Sequence, residues 1–120
     1  GANAYPPFLA NGFKSTVSDF VDVIDNLVGR VGIDHVGIGT DYCQDQPVSF
    51  FEWIFSQQGT KRPSTPLNYP DPFHHPIGME TPDGFASIAS NLSNRGYLES
   101  DIAKIIGGNW MRLFREVWGE

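Results

Sequence analysis

The side chains of this 120-residue sequence that could do chemistry gather in two places. The first is the stretch VGIDHVGIGTDY, residues 31–42, which carries Asp34, His35 and Asp41 and runs directly into the lone cysteine, Cys43. The second is the pair His74 and His75, set between prolines. A carboxylate at the end of a buried strand can accept and return a proton during hydrolysis, or it can do no more than bond the amides of the following loop. On the residues alone both readings of Asp41 stand. His35, among glycines and β-branched residues, reads as a satisfied core histidine that could orient Asp41 from behind. His74 and His75, in an exposed loop, read as local composition rather than ligation. A thiol beside a carboxylate has its pKa raised, so Cys43 reads as unreactive, and without a second thiol it makes neither a disulfide nor a metal knot.

Asp41 is positioned by what precedes it. Val17, Phe20, Val21, Ile24, Leu27 and Val28 recur at helical spacing, with Thr16 and Asp19 as a capping pair and Gly29 or Gly32 as the exit. The HVGIGT stretch, His35 to Thr40, then reads as a short strand buried on both faces of a parallel sheet. A weaker strand candidate lies at residues 2–5. SFFEWIFS, residues 49–56, predicts one or two helical turns whose Phe50, Phe51, Trp53, Ile54 and Phe55 need cover. The aromatics read as packing that could also wall a substrate.

Further on, Thr81 and Pro82 start a helix with an apolar stripe of Phe85, Ile88, Ala89 and Leu92, terminated by Gly96. Ile102, Ile105 and Ile106 predict a short helix broken by Gly107 and Gly108. Asn109 then reads as the cap of a last helix, to Trp118, with Trp110, Leu113, Phe114 and Val117 facing inward. Residues 59–84, with six of the nine prolines, read as a long loop. One convincing strand cannot satisfy its own backbone, so partners from more chain or from a second copy are expected, and with them a homo-oligomer.

Composition narrows the partners. Eight Lys and Arg against fourteen Asp and Glu give a net charge of −6, which opposes a nucleic-acid backbone. No apolar run reaches the ~20 residues of a membrane span.

Three stretches in order, Asp34 to Asp41 (DHVGIGTD), Asn91 to Tyr97 (NLSNRGY) and Gly108 to Leu113 (GNWMRL), closely resemble the C-terminal end of the membrane (renal) dipeptidases, a zinc-dependent peptidase family. The resemblance implies an α/β fold: residues 1–120 would be a single C-terminal portion of a TIM (β/α)8 barrel, mostly helical with one or two parallel strands. Residues 42–80 would be a long insertion rich in proline and aromatics, like that of a bacterial subgroup. It implies that Asp41 ends the eighth strand beside a two-zinc centre and handles the proton as metal-activated water attacks a dipeptide. The family's metal ligands, a His-x-Asp, a bridging Glu and two later His, all precede the motifs present here, so no ligand is assigned and the chain alone is expected to be inactive. Asn109 and Arg112 become a structural signature, Asn109 as cap and Arg112 paired with a carboxylate of the chain. Two departures stand out: Tyr42-Cys43-Gln44 replaces the usual Phe-Asp-Gly after the key Asp, and Leu98 occupies a position where a capping Ser is usual, unless Ser100 substitutes. The competing expectation is a non-catalytic barrel piece acting as an oligomeric scaffold or interaction module.

Overall fold

The computed structural model describes residues 1–62 and 67–119. Pro63 and Pro66 of the expected insertion lie outside the described residues. Five α-helices follow one another among them: α1 Val17–Val31, α2 Val48–Phe55, α3 Phe85–Asn94, α4 Glu99–Ala103 and α5 Asn109–Trp118. None is long and apolar enough to cross a membrane.

α1 is built as its spacing predicts. Val17, Phe20, Val21 and Ile24 are buried. The Asp19 carboxylate accepts hydrogen bonds from the Thr16 N–H (2.7 Å) and hydroxyl (2.8 Å), satisfying the helix start. Gly32, rather than Gly29, makes the exit, with φ +82° and its N–H on Val28 O.

The strand expected at His35 to Thr40 is corrected. Ile33–His35 is a 3₁₀ turn, and only Ile38 makes a ladder contact, an isolated parallel bridge to Ala2. Ala2 N–H donates to Gly37 O (2.6 Å) and Gly39 N–H to Ala2 O (2.9 Å). The pairing stops because Pro6 and Pro7 turn the neighbouring segment into a 3₁₀ helix, Pro6–Phe8. On the other edge a helical carbonyl, Ile105 O, receives the Ile38 N–H at 3.3 Å. A second parallel bridge joins Thr16 to Ile77. Among the described residues the chain is therefore mostly helical, with two bridges and no regular strand.

α3 is led in by a 3₁₀ turn, Pro82–Gly84, and left through Gly96 at φ +88°. Ile88 and Leu92 pack with Phe20, Val21, Ile24 and Met79 in the main core. The loop behind α3 locks onto α1. Arg95 Nη1 reaches Asp22 (2.6 Å) and Asp25, its Nη2 donates to Ser18 O (2.8 Å) and Oγ (2.9 Å), and the Tyr97 hydroxyl donates to Asp25 (2.7 Å). Arg95→Met should cost about 1–2 kcal/mol, discounted for the exposed Asp22. Arg95→Lys should recover little, because a point ammonium cannot span two carboxylates and a carbonyl. Urea midpoints of the two variants against the parent decide it; equal midpoints would remove the clamp from the stabilising contacts.

The glycine pair does not break the helix after Ile106. Lys104–Gly108 form a π turn that carries α4 directly into α5. The Asn109 N–H skips to Lys104 O, which leaves Ile105 O free to receive Ile38. The inward stripe expected of α5 is also corrected: Trp110 is half-buried, but Leu113, Phe114 and Val117 are exposed, and among the described residues Phe114 stacks only on Trp110 and Trp118 of its own helix. Likewise Phe51 of α2 is buried, but Trp53, Ile54 and Phe55 stand about half exposed.

Candidate functional site

Three residues of α5 reach under the segment that ends in Asp41. The Asn109 amide, 8% exposed, donates to both Ile33 O (2.8 Å) and Val36 O (2.7 Å). Trp110 Nε1 donates to Ile38 O (2.8 Å), and its ring lies so close over Gly37 that a Cβ there would stand 2.5 Å from the indole nitrogen. Arg112 donates to Asp34 O (2.8 Å) while pairing with Glu116 at 3.1 Å. Lys104 adds an ion pair to the Asp34 side chain (2.8 Å), which holds that carboxyl below its ordinary range. Two motifs some seventy residues apart in sequence are thus one hydrogen-bonded unit. Asn109 is accordingly not a helix cap: it sits in helical conformation and spends its amide on the segment below.

Asp41 follows this unit in the left-handed backbone region, φ +56°, with its side chain exposed. No hydrogen bond to its carboxylate is found among the described residues, so it does not act as a cap on loop amides. Behind it the chain is held on three sides. Cys43 N–H donates to His75 Nε2 at 2.8 Å, the Tyr42 ring stacks flat on the His75 ring (4.1 Å, 9°), and the Tyr42 hydroxyl donates to Glu80 O. Burial pushes the Cys43 thiol up, and the Asp41 charge pushes it the same way, as the sequence predicts.

An aromatic cluster adjoins these residues. Tyr5, Phe51 and Phe73 are buried together, flanked by Phe13, Cys43 and Tyr69. Tyr5 stacks on Phe73 (5.6 Å, 18°) and donates its hydroxyl to Tyr69 Oη (2.9 Å). Burial chiefly, then Tyr69 and the charge of Asp41, raise the Tyr5 phenol pKa.

The histidines fall differently from their sequence reading. His35 is exposed at the end of a 3₁₀ turn rather than in the core. His74 is half-buried, its Nδ1 3.0 Å from His75 O. His75 is 1% exposed, not part of an exposed loop. Its importance was missed because its partners, Tyr42 and Cys43, lie more than thirty residues upstream; the doubled histidine between prolines was the only local signal. Leu98 precedes α4 without a side-chain cap. Among the described residues no group of three or more His, Cys, Asp or Glu side chains could hold a metal ion.

In fold, the chain is similar to segments of two solved hydrolases. It aligns with an amidohydrolase from Pseudomonas aeruginosa over 98% of this chain and 35% of that one, at 36% identity and a TM-score of 0.88. It also aligns with a solved dipeptidase AC, described as a metallopeptidase, over 98% of this chain and 28% of that one, at 21% identity and a TM-score of 0.63. In sequence, its relatives are dipeptidases: tcpJ of Claviceps purpurea, 26% identical over 95% of this chain, and ataJ of Aspergillus terreus, 27% identical over 90%. No family model matches the chain. The resemblance carried by the three motifs is borne out: this is a dipeptidase-like segment. It spans about a fifth of the length of the curated relatives it matches, 21% and 20%.

Proposed function

We propose that these residues form the C-terminal part of a zinc-dependent dipeptidase built on a (β/α)8 barrel, with Asp41 as its proton-handling carboxylate and residues 42–80 as an insertion beside the site. The observation that carries the reading is the Asp41 side chain. It is exposed and makes no hydrogen bond among the described residues, yet sits at the end of a segment that α5 ties down at four carbonyl oxygens. Barrel enzymes carry their chemistry at the C-terminal ends of their strands, which is where the proposed barrel would put Asp41. The names of the relatives supply the substrate class, dipeptides.

The described residues do not fit a metal centre by themselves. His75 Nε2 is occupied by the Cys43 N–H, the Cys43 thiol resists ionisation, and Asp41 belongs to no group of three or more ligand side chains among the described residues. The zinc ligands come, on this reading, from chain outside this segment. What this chain contributes is proton traffic: the carboxylate takes a proton from the water that adds to the amide carbon and delivers it to the nitrogen as the C–N bond breaks. The uncovered faces of α2 and α5 are where further barrel elements, or a second copy in a homo-oligomer, would pack.

The test compares full-length protein with the 120-residue chain on an unblocked dipeptide such as Ala-Ala. Full-length protein should hydrolyse it and lose activity to a chelator, and the chain alone should give no turnover. Turnover by the pure 120-residue chain, abolished in its Asp41→Asn variant, would place the whole centre within these residues and overturn the assignment.

A further inference from the structure

His75 is the buried titratable group to which the proposed chemistry gives no task. Its surroundings give it one. Asp41 occupies the left-handed backbone region, φ +56°, which a residue with a β-carbon enters less readily than the right-handed one, so its neighbours help to hold it there. Its own carboxylate makes no hydrogen bond among the described residues, so the hold comes through the backbone on either side. Upstream, Gly39 N–H is tied to Ala2 O (2.9 Å). Downstream, the first backbone contact is Cys43 N–H on His75 Nε2 (2.8 Å), reinforced by the Tyr42 ring lying on the imidazole.

His75 is in turn anchored from beyond. Phe73 meets its ring edge-on (5.4 Å, 80°), and two residues later Ile77 N–H donates to Ser15 O (2.9 Å) at the bridge that starts α1. An imidazole nitrogen accepts a hydrogen bond only when it carries no proton, so Nε2 is bare and the proton resides on Nδ1. That Nδ1 is fully buried and has no partner among the described residues. An unpaired buried donor is destabilising, which a residue kept only for packing would not need.

We propose that His75 is a positioning residue for Asp41: as a neutral Nδ1–H imidazole it latches the 41–43 turn and so sets where the carboxylate points. This rests on the reading of Asp41 given above. Four groups face or adjoin the ring: Asp41, His74, the Cys43 thiol and the Tyr42 phenol. Burial lowers the imidazole pKa, His74 lowers it further, and Asp41 opposes both without reversing them. The neutral form therefore holds at neutral pH. Because the folded pKa lies below the unfolded one, the latch persists through the ordinary imidazole range and opens only as pH falls below it, while its contribution to stability, full above that range, is lost on the way down.

Two measurements on the full-length protein test this. With ¹⁵N-labelled Cys and His, a through-hydrogen-bond N–N coupling should join the Cys43 amide to His75 Nε2, disappear in Cys43→Ser labelled the same way, and fade on acidification. In kinetics, His75→Phe keeps a ring against Tyr42 but cannot accept. It should lower kcat roughly 10- to 100-fold with KM little changed and the circular dichroism of the parent. His75→Gln, whose carbonyl can accept, should recover a large part of that loss. An Nε2–H tautomer without the coupling, or parental kcat in folded His75→Phe, would overturn the latch. If the parent protein cleaves no dipeptide, the functional reading fails separately, and the coupling alone then supports or sinks the latch.

Discussion

Asp41→Asn in the full-length protein should lower kcat by roughly 10²- to 10⁴-fold, the usual contribution of a positioned general acid–base, while bound metal stays at the parental level. The amide is nearly isosteric, so the left-handed backbone at residue 41 and the contacts of Tyr42 and Cys43 remain. On the proposed reading, what is lost is the ability to take a proton from water and return it to the departing amine. KM should change little, since a group that acts on the proton in flight contributes to the transition state and not to ground-state binding. Metal analysis alongside steady-state kinetics separates the alternatives. Zinc stripped from the variant, with kcat per remaining metal intact, would make Asp41 a ligand instead of a proton carrier.

The next largest effect is expected at Asn109. Its amide faces two carbonyl oxygens from a buried position. Asn109→Asp would turn a donor into an acceptor and set an anion against both, at roughly 3–5 kcal/mol, the scale of an uncompensated buried charge. Asn109→Ala removes the donor only and should cost about 1–3 kcal/mol. The ranking, Asp worse than Ala, is the discriminating result, read from denaturant midpoints at unchanged m-value. A helix cap would give the opposite order, since Asp caps as well as Asn while Ala does not. Because the affected carbonyls lead into Asp41, the Ala variant should also lose activity before it loses its fold.

The helices were legible where one face of one segment settled the matter. The stripe of α1, its Thr16 and Asp19 cap, and the Pro82 entry to α3 are local facts, and the structure repeats them. HVGIGT misled because glycines among β-branched residues suit an extended segment of any kind; what decides a strand is the neighbour, and here that neighbour turns away at Pro6. Gly107 and Gly108 are as compatible with a widened turn as with a break, and the choice followed from Ile38 needing a carbonyl. Asn109 was found at the right place with the wrong task, since asparagine serves equally as a cap or as a bridge between segments. Of the candidate site, Asp41 was visible through its motif, whereas His75 depends on partners that no local window contains.

The seating of Trp110 over Gly37 has an optical consequence. Trp118 is 75% exposed and Trp53 50% exposed, so both indoles emit from water, whereas Trp110 is partly shielded, bonded to a carbonyl and stacked beside Phe114 (5.9 Å, 25°). Its fluorescence belongs to the blue side of the spectrum and shifts red only when α5 lifts off residues 36–39. The chain thus carries an intrinsic gauge of whether the support beneath Asp41 is in place, readable with no label and distinct from the solvated tryptophans at the two exposed helices.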